Sequence, residues 1–217
     1  PMKQSLILFA VLLMSLLSGC TIVSIEEAQK VAQSEAFDPV GVVDQIWESQ
    51  VVPTISEKAA NADLPTVLSA IEANLNDAGA KYATISQSGG LNFVVHGQGT
   101  VQSVNTESRN GTATLQIDGY SGKIVTVLQI GPLVRGDGVR DGVGFIKFGD
   151  FKDQTEFGQI SRELNRRVSE QVLANLDLAN LVGKKVSFDG VFTIRTTNQT
   201  NIDLSEVVIT PVVLTVN

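Results

Sequence analysis

The sequence predicts an α+β protein. An N-terminal helical subdomain precedes a five-stranded Greek-key β-barrel, with one long helix between strands 3 and 4. Three observations predict it. Apolar residues recur at helical spacing before residue 85 and alternate at strand spacing after residue 91. The elements of the second part run β-β-β-α-β-β. Two glycines, Gly97 and Gly99, fall inside the first strand, where a barrel strand has to bend or bulge. The chain has 217 residues, 43% hydrophobic and 18% charged. That composition folds, and the length suits one large domain or two small ones.

Residues 1–19 read as a secretory signal. Lys3 supplies the positive start, and Ser5 to Leu17 is an apolar run. As a helix that run spans about 20 Å, short of the roughly 30 Å hydrocarbon core. Leu17-Ser18-Gly19-Cys20 then resembles the bacterial lipobox. The resemblance implies a diacylglyceryl group on the Cys20 thiol and cleavage before Cys20. Two or three acyl chains hold a membrane stably where one does not. Thr21, rather than Asp, follows the Cys. In a Gram-negative host this resembles a lipoprotein directed to the outer membrane, facing the periplasm. Residues 20–37 read as the tether, with Ile25 to Phe37 a weak helix.

Residues 38–85 form the helical subdomain. Asp38-Pro39 is a helix start, and Val40, Val43, Ile46, Trp47 and Val51 recur on one face until Pro53 interrupts. Asp63 and Pro65 open a second helix, with Val67, Leu68, Ile71 and Leu75 on one side and Gly79 near its end. Residues 86–217 form the barrel. Leu91 to Val104, Thr112 to Asp118 and Lys123 to Ile130 are strands, separated by the turn signals Arg109-Asn110-Gly111 and Gly119 to Gly122. A Gly-rich loop, Gly131 to Gly149, leads to a helix capped by Asp150 or Asp153. Its apolar positions are Phe157, Ile160, Leu164, Val168, Val172 and Leu176, and Glu163 and Arg167 pair on its outer side. Val186 to Ile194 alternates as the fourth strand. A polar loop, Thr196 to Glu206, leads to the fifth, Val207 to Val216, where Pro211 marks an edge or a bulge. This order resembles the OB-fold.

Charge and composition exclude several functions. The 16 basic and 23 acidic residues give a net charge of −7, which opposes nucleic-acid binding. The single Cys excludes an intramolecular disulfide and a Cys-built zinc site, and the single His leaves little for metal chemistry. No cofactor is expected.

Several segments carry a family resemblance. They are the lipobox, Val43-Asp44-Gln45-Ile46-Trp47 with Val52-Pro53, and His96-Gly97-Gln98-Gly99-Thr100-Val101. Ile130-Gly131-Pro132-Leu133-Val134-Arg135-Gly136, Arg140-Asp141, and Phe148 to Phe157 with Gln154 and Glu156 complete the set. Together they resemble the predicted periplasmic lipoproteins of domain-of-unknown-function family 2291. The sequence departs from that pattern at Asp137-Gly138, where Thr-Ala is expected. The resemblance implies a helical subdomain joined to an OB-like barrel, exported and lipid-anchored, and associated with sugar-uptake operons. It implies no established activity.

The densest polar cluster is Arg135-Gly-Asp-Gly-Val-Arg-Asp-Gly142. Two readings of it stay open. Arg135 and Arg140 can grip a carboxylate or phosphate, with Asp137 and Asp141 beside them. Alternatively they pair with Asp137, Asp141 or Asp150 and merely order the loop. Arg109 belongs to the loop Asn105 to Gly111 which, with Thr196 to Glu206, occupies the usual ligand loops of such barrels. Asp150, Asp153 and Glu156 read as a charged first helical turn. His96 reads as a barrel histidine before a general base. The leading function is a non-enzymatic, lipid-anchored envelope protein that recognises a small polar solute or transporter subunits, as an accessory to ABC-type sugar uptake. The rivals are an adaptor docking a partner through its helices, and a hydrolase using two carboxylates among Asp137, Asp141, Asp150 and Glu156.

Overall fold

The computed structural model describes residues 36–197 and 201–217; the lipobox, Cys20 and nearly all of the tether lie outside them. Residues 38–217 form one compact unit. It starts where expected. Asp38 caps α1 (Pro39–Ile46) by accepting the Gly41 N–H at 3.0 Å. Pro53 does not end the helical run. A π-turn over Trp47–Val51 absorbs the break, and α2 (Val52–Ala59) continues with Pro53 in its first turn, where a missing N–H costs nothing. The second expected helix divides at Asn74. That residue is extended (φ −164°, ψ 110°), ends α3 (Leu64–Ala73) and caps α4 (Leu75–Tyr82) through the N–H groups of Asn76 and Asp77.

The barrel has one strand more than the five expected. β1 (Ala83–Ile85) lies in the stretch assigned to helix and pairs antiparallel with Leu91–Phe93. The Asn92 amide donates to the Thr84 carbonyl at 3.1 Å, a tertiary bond no local pattern announces. The remaining strands are β2 (Leu91–Asn105), β3 (Thr112–Ile117), β4 (Val125–Gln129), β5 (Lys185–Ile194) and β6 (Glu206–Val216). β2 pairs with β3, β3 with β4, β4 in parallel with β6, β6 with β5, and β5 again with β2. The pairings therefore run in the five-strand order of an OB-fold, with β1 as an added edge.

β2 makes this possible. Residues 91–100 pair with β5 and residues 99–105 with β3, so one strand serves both sides of the turn. Its glycines sit where the approach is closest. A Cβ at Gly99 would lie 2.4 Å from the Gln116 carbonyl oxygen, and one at Gly97 would lie 2.5 Å from the Phe188 ring. The bulge itself falls just beyond, between Val101 and Ser103. Pro211 also marks a bulge, where the β5–β6 register shifts beside Gly190. It is not on an edge strand, because β6 is paired on both sides.

Two apolar layers result. Inside the barrel, Phe93, Val95, Leu115, Leu128, Phe188, Phe192 and Ile209 share a core with Leu64, Val67, Leu68 and Ile71 of α3. Phe93 and Phe192 stack at 5.0 Å between centroids. Outside it, Val94 and Val191 are buried, as are Val43, Trp47, Val51 and Ile55 of the first helical run. α2 packs there against β2 and β5. The long helix, α6 (Gln154–Arg167), packs against α1 and extends through a π-turn over Val168–Leu173. That turn shifts the helical phase by one residue. Phe157, Ile160, Leu164 and Val168 are buried as expected, but Leu173, not Val172, is the next buried position. Asp153 caps α6 through Thr155 and Glu156, and Glu156 accepts from the Lys152 N–H, so these acids act at the helix start.

One expectation fails on α6. Glu163 does not lie on the outer side; it is 6% exposed. Its carboxylate takes Arg166 Nη2 at 2.5 Å and Arg167 Nε at 3.1 Å, and Arg167 reaches on to Asp44 of α1. Hydrogen bonding from Arg166, opposed by burial and reinforced by Arg167, holds the Glu163 carboxyl below its ordinary value. A carboxyl lowered by folding stabilises above its unfolded pKa, and that contribution is lost as pH falls through the folded value. We expect Glu163→Gln to cost about 1–3 kcal/mol at pH 7, with the difference from the unaltered protein shrinking below about pH 4. Urea melts across pH 3–7 measure it; a pH-independent difference contradicts the assignment.

Candidate functional site

The Gly131–Gly149 segment is not an open loop. It contains a short helix, α5 (Gly138–Val143), whose Val139, Arg140 and Val143 are buried. Gly-richness hides this helix, because tertiary contacts rather than propensity hold it. α5 lies on the outer face of β5, where Gly138 and Gly142 approach Val191 closely. Lys58 of α2 closes its far end by donating to the Gly142 carbonyl at 2.8 Å and to Thr84 Oγ1 at 2.9 Å. Burial without a carboxylate pushes the Lys58 ammonium below its ordinary pKa.

Arg140 ties α5 to α6. It is 5% exposed, and its guanidinium carbon lies 3.5 Å from the centroid of the Phe157 ring. Nε donates to Asp141 at 2.7 Å, Nη1 donates to the Phe157 carbonyl at 3.2 Å, and Asp137 stands at 3.6 Å. For Arg140 the ion-pair reading of the sequence is the one realised.

Arg135 differs. Its backbone is clasped at two points by Gln129, which accepts the Arg135 N–H at 2.9 Å and donates to the Arg135 carbonyl at 2.9 Å. Gln129 is buried and also donates to Thr210 of β6 at 2.6 Å. Asn165 of α6 donates to the Gly136 carbonyl at 2.8 Å, and Ser169 to the Pro132 carbonyl at 2.8 Å. The main chain is thus fixed while the Arg135 side chain is exposed. Among the described residues it has no carboxylate within ion-pair reach.

Beneath it lies a cleft of about 450 Å³ on the flank of the barrel, within the range of small-molecule sites. Arg135, Asp137, Asp141 and Arg195 line it, with hydroxyls from Ser86, Thr112 and Thr210. A second cleft of about 540 Å³ shares Asp137, Asp141, Arg195, Ser86 and Ser88 with it, and adds Arg140, Lys147 and Phe148. Arg195 is 65% exposed and touches Asp137 only loosely, at 3.9 Å. Among the described residues, Asn110 and Thr197 bring the two expected ligand loops to the first cleft. Asn110 Oδ1 is buried without a donor. Arg109 does not reach either cleft. It is exposed, and its carbonyl, not its guanidinium, is used, accepting the Leu133 N–H at 3.0 Å.

Asp150, Asp189, His96 and Ser56 answer structural needs. Asp150 accepts the Lys147 N–H at 3.1 Å. Asp189 receives His96 Nδ1 at 2.8 Å and Ser56 Oγ at 2.8 Å. A nucleophilic relay needs the imidazole between hydroxyl and carboxylate, whereas here the carboxylate is in the middle. Among the described residues no three His, Cys, Asp or Glu converge as metal ligands. No helix there is long and apolar enough to cross a membrane.

Strand order, barrel core and flank cleft together define an OB-type α+β protein with a lateral cleft. The family profile of predicted periplasmic lipoproteins, domain-of-unknown-function family 2291, matches residues 10–215, and the chain belongs to that family. It is therefore an envelope protein of a lipoprotein family, a class anchored to membranes. The crystal structure of an OB-fold protein from Thermotoga maritima is similar, with a TM-score of 0.63 and 21% identity, over 84% of this chain and all of that one. At that identity the likeness speaks for the fold alone. No curated protein matches the chain significantly.

The Gln129 clasp is open to test. Gln129→Leu is expected to speed hydrogen exchange of the Arg135 amide by roughly tenfold or more and to cost about 1–3 kcal/mol. Unchanged exchange at Arg135 contradicts it.

Proposed function

We propose that the protein is a non-enzymatic recognition module of the bacterial envelope. Lipid on Cys20 anchors it, and its flank cleft binds a small polar solute in support of ABC-type sugar uptake. One observation carries this reading: a rigidly held backbone presents the exposed Arg135 side chain over a cleft rich in hydroxyls and amides. Preorganisation of this kind lowers the ordering cost of binding. Hydroxyl and amide linings match polyhydroxylated ligands, and a transporter subunit is the partner such a solute requires.

Other arrangements support the same choice. Arg140 engages Asp137 and Asp141 together, and Ser56 and His96 are held apart by Asp189. Helical residues 39–82 expose one large apolar side chain, Val40. The adaptor reading needs a contiguous apolar face of several hundred Å². Thr21 after Cys20 favours the outer membrane in a Gram-negative host.

Two experiments test the proposal. Cys20→Ser is expected to move the protein from the membrane fraction to the soluble periplasmic fraction, and retention in membranes overturns the anchor. Thermal melts of the mature protein with a panel of sugars and phosphosugars are expected to rise with at least one of them. A flat panel, together with no transporter subunit in a pull-down, overturns the recognition role.

A further inference from the structure

The two adjoining clefts together have a charge sign opposite to that of the whole chain. The chain carries a net charge of −7. Around the two adjoining clefts, Arg135, Arg140, Arg195 and Lys147 stand against only Asp137 and Asp141. The two carboxylates already have a cation, because Arg140 contacts both. That leaves Arg135 with no protein carboxylate among the described residues, and Arg195 with a loose 3.9 Å contact. Both guanidiniums are exposed and both line the same cleft. A guanidinium offers five N–H donors and no acceptor, so two of them facing one cleft call for a ligand with acceptor oxygens in a plane or a cluster.

The rest of the lining has different chemistry. Ser86, Thr112 and Thr210 bring hydroxyls, of which Thr210 already accepts from Gln129 and Ser86 from the Gly90 N–H, and Val208 brings apolar surface. Val208 is 43% exposed, so the apolar contact is open to a ligand's carbon skeleton. A neutral sugar would satisfy the hydroxyls and leave the guanidiniums unanswered. A bare anion would do the reverse.

Resting on the reading of the cleft as a solute site, we infer that its ligand is an anionic polyol: a sugar bearing a carboxylate or a phosphate. The anion lies on Arg135 and Arg195, and the hydroxyls lie along Ser86, Thr112 and Thr210. Asp137 sits beside the anion position and restrains its affinity, because a like charge there repels the ligand.

Calorimetric titration of the full lipidated protein in detergent tests this with four probes: a hexose, its 6-phosphate, its hexuronate, and inorganic phosphate. The phosphosugar or the hexuronate is expected to bind at least about tenfold more tightly than the hexose, and to weaken with added salt. The tighter of the two identifies the anion. Arg135→Ala is expected to lose about tenfold or more, with Arg135→Lys losing less. Asp137→Asn is expected to gain several-fold, which a merely structural role for Asp137 does not produce. Unchanged thermal melts confirm that the variants fold. A hexose binding as tightly as its anionic forms overturns this inference and leaves the solute site standing. Phosphate alone binding as tightly as the phosphosugar overturns the polyol part. Binding by none of the four overturns this inference and the solute site together.

Discussion

Gly97 and Gly99 carry the constraint on which the rest of the structure depends. β2 must pair with β5 along its first ten residues and with β3 along its last seven, and the change-over falls at Gly99 and Thr100. The Gln116 carbonyl and the Phe188 ring press against the strand at these two glycines, in space that any larger residue would fill. Because β2 turns there, five strands enclose an apolar interior. The outward face of β2 and β5 is then left free to bury Val94 and Val191 under helices. The flank cleft lies where the segment after β4 covers part of the barrel.

The segment after β4 shows how a Gly-rich stretch becomes rigid without propensity. Few of its own residues favour helix, and its order is imported. Gln129 grips Arg135 on both backbone groups, Asn165 holds Gly136, Lys58 holds Gly142, and Arg140 is fixed over Phe157. These anchors come from β4, which the segment directly follows, and from α6 and α2, which lie farther away along the chain. Buried polar groups satisfied in this way specify one arrangement of the chain, since leaving any of them unpaired would cost about 1–3 kcal/mol. The consequence for the site is that Arg135 and Arg140, five residues apart, have opposite fates. One is buried and neutralised, and the other is exposed.

Much of the fold was legible in the sequence. The strand periods, the Asp38 cap and a cap at Asp150 or Asp153 rest on neighbours in the chain, and the element order with the Gly97–Gly99 bend pointed to the OB arrangement. What escaped rests on tertiary contact. Ala83–Ile85 joins a sheet through Asn92, α5 forms against Val191, and Glu163 is buried beneath Arg166 and Arg167, the second of which also reaches Asp44. The shift from Val172 to Leu173 escaped because a π-turn adds one residue to a repeat that looks regular. At the cleft, the cluster 135–141 was visible as charge, but which arginine was committed was not. Gln129 falls within the expected third strand, and nothing local singles it out. Only the approach of Thr210 and Arg135 makes it a clasp.

The parallel β4–β6 pairing has a consequence for how the molecule is made. Residues 206–209 of β6 join residues 125–128 of β4, and the same strand joins β5 on its other side. Pairings so far apart in sequence raise contact order and slow folding. A periplasmic protein threads across its membrane N-terminus first, so β4 and β5 emerge with open edges and wait for β6. Thr210 and Val208 of the cleft lie on that last strand. The cleft is therefore complete only once β6 has paired, and until then the open edges of β4 and β5 are exposed to edge-to-edge association.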